Sequence, residues 1–132
     1  MRLTKIVAPK VGGPFEKMRD KLAKRFPAIQ DDVNDQFAKL QSDGGCPVPC
    51  GAGVAQVPGK FSRVVVKIRI RSRDMGKGKS GGFRALLAGI GADEWRPFAI
   101  YAKADASDLP AKEIVQLLGT GEQPVEGPPK AR

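Results

Sequence analysis

Between Lys60 and Arg84 the chain sets nine Lys/Arg residues against a single acid, Asp74, so this stretch carries +8 of the net +9. Histidine is absent, which removes the commonest general base and metal ligand together. What remains is the chemistry of ammonium and guanidinium groups, which bind a polyanion and offset negative charge on it.

Spacing sorts these cations. In RVVVKIRIR, residues 63–71, alternation places Val64, Val66, Ile68 and Ile70 on one strand face and Arg63, Lys67, Arg69 and Arg71 on the other. Like charges repeated along one face repel, whereas sheets favour apolar or opposite-charge neighbours. An anionic ligand is the natural reason to keep such a face. Nucleic acid fits this charge better than a membrane does. No apolar run approaches the roughly 20 residues of a spanning helix, and no basic amphipathic helix carries an apolar anchoring face. Lys5 and Lys10 interrupt the apolar part of the N-terminus, so a signal peptide is not expected and a cytoplasmic location is.

Cys46 and Cys50 form one CPVPC pair. A structural zinc site takes four Cys/His ligands, so the sequence predicts no metal site and two free thiols in a reducing compartment.

The elements that must position the basic residues follow from periodicity and punctuation. With 132 residues, the chain suits one domain with a single core. Residues 2–8 read as a short strand, and Gly12, Gly13 and Pro14 precede a helix bearing Phe15, Met18, Leu22 and Phe26. After Pro27 a second helix repeats the stripe with Ile29, Val33, Phe37 and Leu40. Residues 42–59 are rich in Gly, Pro and Cys and predict a long loop. Three strands follow, at 63–71, 83–90 and 96–103, the last with Phe98, Ile100 and Ala102 on one face and Ala99, Tyr101 and Lys103 on the other. Asp108 and Pro110 introduce a short final helix with Ile114, Leu117 and Leu118 inward. The expected fold is therefore α+β: a strand, a helical hairpin, a three-stranded antiparallel meander and a C-terminal helix, with the helices on one sheet face. The domain is expected over 1–119, and 120–132 as a disordered tail.

Gly76-Lys77-Gly78-Lys79-Ser80 ends like a Walker A loop, but Arg73 stands where the first glycine is needed and a strand follows instead of a helix. The glycines suit a turn and the lysines phosphate contacts. The run GKGKSGGFR at 76–84, Lys67-Ile68-Arg69, IYAK at 100–103 and DLPAKEI at 108–114, with FEK at 15–17 and KRFP at 24–27, resembles the RelE/HigB branch of the RelE/ParE toxin superfamily. The resemblance spans roughly residues 14–118.

It implies a RelE-like fold and a toxin of a type II toxin–antitoxin system. Such a toxin is a ribosome-dependent mRNA interferase whose substrate's own 2′-OH attacks the neighbouring phosphate, with no metal or other cofactor. Its implied partners are mRNA, the ribosome and a cognate antitoxin. Carried over, Lys67, Arg69, Arg84 and Lys103 are the catalytic positions: Lys67 as base, since a desolvated lysine among cations loses its proton more readily, Arg69 and Arg84 on phosphate, and Lys103 as acid. Arg63, Arg71, Arg73, Lys77 and Lys79 would bind RNA. The family often carries a C-terminal aromatic that stacks on or orients the nucleotide. No Tyr or Trp follows Tyr101, so Tyr101, on the face of Lys103, takes that role. The alternative is a non-cleaving toxin or nucleic-acid-binding module of the same fold, for example one directed at gyrase.

Overall fold

In a computed structural model, residues 1–51, 53–75, 81–106 and 108–121 are described. The architecture is α+β. Two-residue strands β1 (Arg2–Leu3) and β2 (Lys5–Ile6) lead into helices α1 (Pro14–Ala23) and α2 (Ile29–Gln41). Strands β3 (Cys46–Pro47), β4 (Val54–Gln56), β5 (Val65–Ile70), β6 (Phe83–Gly91) and β7 (Glu94–Ala102) follow, then helix α3 (Ala111–Gly121).

Pro14 opens α1, where a missing N–H costs nothing, and the Glu16 carboxylate accepts the Gly12 N–H at 2.8 Å. At the start of α2, Asp74 reaches across from another segment to accept the Ala28 N–H at 2.7 Å. That carboxylate satisfies an orphan donor and complements the positive end of the helix dipole. The sole acid of the basic stretch is thus a structural cap. The stripe Phe15, Leu22, Ile29, Val33 and Leu40 is buried against Val66, Ile68, Ile70, Phe83, Ala85 and Leu87. Met18, Phe26 and Phe37 close its rim, and Phe26 meets Phe83 edge-on with centroids 5.4 Å apart.

The meander β5-β6-β7 is antiparallel as its alternation predicts, but the sheet is wider than three strands. Its order is β2-β7-β6-β5-β4, with β2 parallel to β7. The expected N-terminal strand is split: β1 pairs with β3, and β2 adds to the far edge of the sheet. The expected loop at 42–59 contains β4, paired with β5 through Ala55 opposite Lys67. Short polar-flanked segments of this kind carry too few residues for a period-2 signal.

The placement of the helices also differs from expectation. Only α1 and α2 lie on the Val66/Ile68/Ile70 face. Helix α3 covers part of the other face, burying Ile114 and Leu118 against Val65, Leu86, Ala88, Phe98, Ala99 and Tyr101. Val65 is fully buried on the face read as cationic, while Val64, read as core, is 41% exposed just before β5. A register shift opposite Leu86 and Leu87 makes Phe98 a bulge residue, so it joins Ala99 and Tyr101 instead of Ile100. Helix α3 runs two residues beyond Gly119, and the rest of the expected tail, 122–132, lies outside the described residues.

Candidate nucleic-acid interface

The second sheet face is divided along its strands. One end is filled by α3; the other holds the cations. The register sets Arg69 opposite Arg84 and Arg84 opposite Tyr101, one row from Lys67, Leu86 and Ala99. Period-2 alternation then brings Lys67, Arg69, Arg84 and Tyr101 to one face from three strands.

Glycines set the walls of this face. The Gly53 carbonyl accepts the Arg69 N–H at 3.0 Å, and at φ +94 a Cβ on Gly53 would lie 2.9 Å from the Arg69 Cβ. Gly82, at φ +79, returns the chain into β6 where a Cβ would stand 2.3 Å from the Ile70 carbonyl oxygen. Only glycine tolerates that backbone. Two residues later Arg84 enters the sheet.

Lys67, Arg69, Arg84 and Lys103 line a cleft of about 520 Å³ together with Cys50, Gly51, Gly53 and Asp108. These are the four expected catalytic positions, and the tertiary structure brings them together. Arg84 is 7% exposed and donates to the main-chain carbonyls of Gly81 and Phe83 at 3.3 and 3.2 Å. Burial, and then the charge of Arg69, lower its pKa from the ordinary guanidinium value. Among the described residues neither Arg69 nor Arg84 forms a salt bridge. The cleft therefore presents two adjoining guanidinium groups without a carboxylate of their own.

Lys67 differs from expectation. Its ammonium donates to the Asp108 carboxylate, an ion pair on the cleft's rim in which Lys67 is 31% and Asp108 68% exposed. A cation held by a carboxylate is not the free amine a general base requires. The hydrogen bond and charge of Lys67 hold Asp108 below the usual carboxylate range, with smaller help from Lys103 and Arg84. Spacing could not show this pair, because Asp108 is 41 residues away.

The remaining basic positions disperse. Arg63 lies just before β5, away from the cleft, and donates to the Gly89 carbonyl at 3.2 Å. Arg73, expected on the RNA surface, is held by Asp32 at 2.7 Å and by Asp35, both on α2. These hydrogen bonds raise its pKa further. Asp32 is itself buried, so the contact anchors the turn after β5 to the helix. Arg71 is exposed beside it and, with Arg69, Asp35 and Lys39, lines a mixed-charge groove. Lys77 and Lys79 lie outside the described residues.

Tyr101 is 6% exposed, and among the described residues its Oη has no hydrogen-bond partner. Burial first, and then Asp108, raise its pKa. The two cysteines are free thiols. Burial, and next the neighbouring Cys50, push Cys46 up to about 11. No described helix is long and apolar enough to cross a membrane. No protein-family model, curated protein or solved structure matches this chain.

Proposed function

We propose that this protein is an RNA-binding toxin of the RelE/HigB type, which cuts mRNA on the ribosome and is held in check by a cognate antitoxin. The observation that carries the reading is the pair of adjoining guanidinium groups, Arg69 and Arg84, set in an open cleft with Lys103 and, among the described residues, with no carboxylate bonded to either. Arg84 is buried beside the exposed Arg69, a like-charge contact that an arriving anion relieves, and a phosphodiester matches the fork of a guanidinium.

In the proposed reaction the 2′-oxygen bonds to the adjacent phosphorus as the bond from phosphorus to the 5′-oxygen breaks, leaving a cyclic phosphate and a 5′-hydroxyl. Arg69 and Arg84 offset the charge that builds on the phosphoryl oxygens. The 2′-proton passes to a base and the 5′-oxygen receives one from an acid, with Lys67 and Lys103 in those roles. Lys67 serves as base only once it is released from Asp108, and an incoming phosphate competes for that same ammonium. An acidic antitoxin segment would cover the cleft by charge complementarity.

Induced expression should arrest growth and yield transcripts cut within codons. Lys67→Ala and Arg84→Ala should relieve both effects while remaining folded. In binding assays with single-stranded RNA, Arg84→Ala should reduce the salt-dependence slope by about 0.7, the share of one phosphate contact. Growth arrest with intact mRNA would sink the cleavage reading. DNA breakage in its place would assign the cationic cleft to gyrase-directed action.

A further inference from the structure

The CPVPC segment, which the RNA reading leaves unused, sets its two thiols in different surroundings. Cys46 is 8% exposed in the core that α1 and α2 share with the sheet, whereas Cys50 is half-buried, packs against that core and lines the cationic cleft. Cys46 belongs to β3, which pairs with β1. Cys50 opens a tight turn: its N–H donates to the Val54 carbonyl at 2.8 Å, and its carbonyl accepts the Val54 N–H at 3.2 Å. After burial, the charge of Cys50 and a side-chain hydrogen bond to it are what raise the Cys46 pKa. The two thiols are therefore neighbours, one at the wall of the cleft and one behind it.

Reactive cysteines occupy partly exposed, electropositive surroundings, whereas buried ones are inert. Cys50 shares its cleft with Lys67, Arg69, Arg84 and Lys103, against one carboxylate, Asp108, which Lys67 already holds. Such a cleft draws anionic reagents, and carboxylates on a reagent fit the guanidinium forks of Arg69 and Arg84. A single thiol there would end as a blocked adduct. A second thiol behind it gives the adduct a way out.

We propose that Cys50 is an exchange site for anionic low-molecular-weight disulfides and that Cys46 is its resolving partner, so that oxidation ends in a Cys46–Cys50 disulfide at the wall of the cleft. In the first step the Cys50 sulfur gives up its proton and bonds to one sulfur of the reagent, whose S–S bond breaks and whose other half leaves as a thiol. In the second, the Cys46 sulfur gives up its proton and bonds to Cys50, releasing the remaining half as a thiol. Two protein thiols are oxidised and one reagent disulfide is reduced. Between the steps the adduct covers the cations of the cleft; the second step clears them. The inference uses the charge of the cleft and stands apart from RNA cleavage.

The test gives the reduced full chain either oxidised glutathione, an anionic disulfide, or hydroxyethyl disulfide, a neutral one, and follows acid-quenched samples by intact mass. Each rate is taken relative to that of the urea-unfolded chain. At low salt the anionic reagent should modify Cys50 about 10-fold faster than the neutral one, the lower end for a charge-lined cleft. In about 1 M salt, where the screening length is about 3 Å, the two should agree. One glutathionyl group should appear and then give way to a chain two hydrogens lighter than the reduced one, with peptide mapping placing the bond between Cys46 and Cys50. Cys46→Ala should accumulate the adduct and keep it, and Cys50→Ser should form neither species. Arg69→Ala should lose most of the preference for the anionic reagent. The wild-type course decides by itself where Cys46→Ala does not fold.

An adduct that persists in the wild-type chain, or first attack at Cys46, overturns the assignment of the two roles. Equal relative rates for the two reagents at low salt overturn the anionic specificity. Failure of either thiol to react in the folded chain overturns the site as a whole. In each case the RNA reading stands, because the salt slope of Arg84→Ala decides it separately.

Discussion

A guanidinium that is 7% exposed and bonded to main-chain carbonyls, as Arg84 is, retains its charge at neutral pH because even a lowered arginine pKa remains far above it. Next to Arg69 it creates a field that a phosphate relieves. Asp108 is the one carboxylate in the cleft among the described residues, and it competes with such a ligand. Asp108→Asn should therefore raise affinity for single-stranded RNA about two- to fivefold, the worth of a largely exposed ion pair. Titration in low salt against wild type checks this, and a fall in affinity would instead make the carboxylate a positioning group for Lys67. The pH dependence has a definite sign. The folded Asp108 pKa is lowered, so the pair's contribution is present above the ordinary carboxylate range and is lost as pH falls through the lowered value. Between pH 7 and 5.5 it should not change.

Among the elements, the turn Arg73–Met75 shows how a basic residue can be mistaken for ligand-binding when it is fastening two segments. Arg73 grips Asp32 and Asp35, and Asp74 caps α2 at Ala28. One dipeptide thereby ties the end of the basic strand to the start of the second helix. Asp74→Ala should cost about 1 kcal/mol in urea denaturation, as for loss of a helix cap, and Asp74→Asn less, since it keeps an acceptor. Arg73→Ala should lower the thermal midpoint and leave the salt slope of RNA binding unchanged. A reduced slope in that variant would return Arg73 to the RNA surface.

At the scale of the whole molecule, the second sheet face is shared between a packed end under α3 and a charged end left open. Leu118 is 2% exposed and Val115, three residues earlier on the same helix, is 52% exposed. Leu118→Ala should cost about 2–5 kcal/mol, whereas Val115→Ala should stay within about 0.5 kcal/mol. Equal small effects from both would mean that α3 does not hold the second face.

Periodicity alone was enough for the helical hairpin and the three central strands, because period-2 and period-3.6 patterns report which side chains share a face, whereas Lys67, Arg69, Arg84 and Lys103 entered as a set through the family resemblance. Concentrated charge between Lys60 and Arg84 likewise marked the strand that carries the site. The pairing partners lay beyond that reach. Whether a cation faces solvent, a carboxylate or another cation depends on residues far away in the chain, as with Lys67 and Asp108 or Arg73 and Asp32. The edge strand β4, the bulge at Phe98 and the side taken by α3 depend on register and on which apolar surface remains uncovered. Tertiary packing alone therefore decided which of the basic residues are neutralised and which two guanidinium groups stand together in the open cleft.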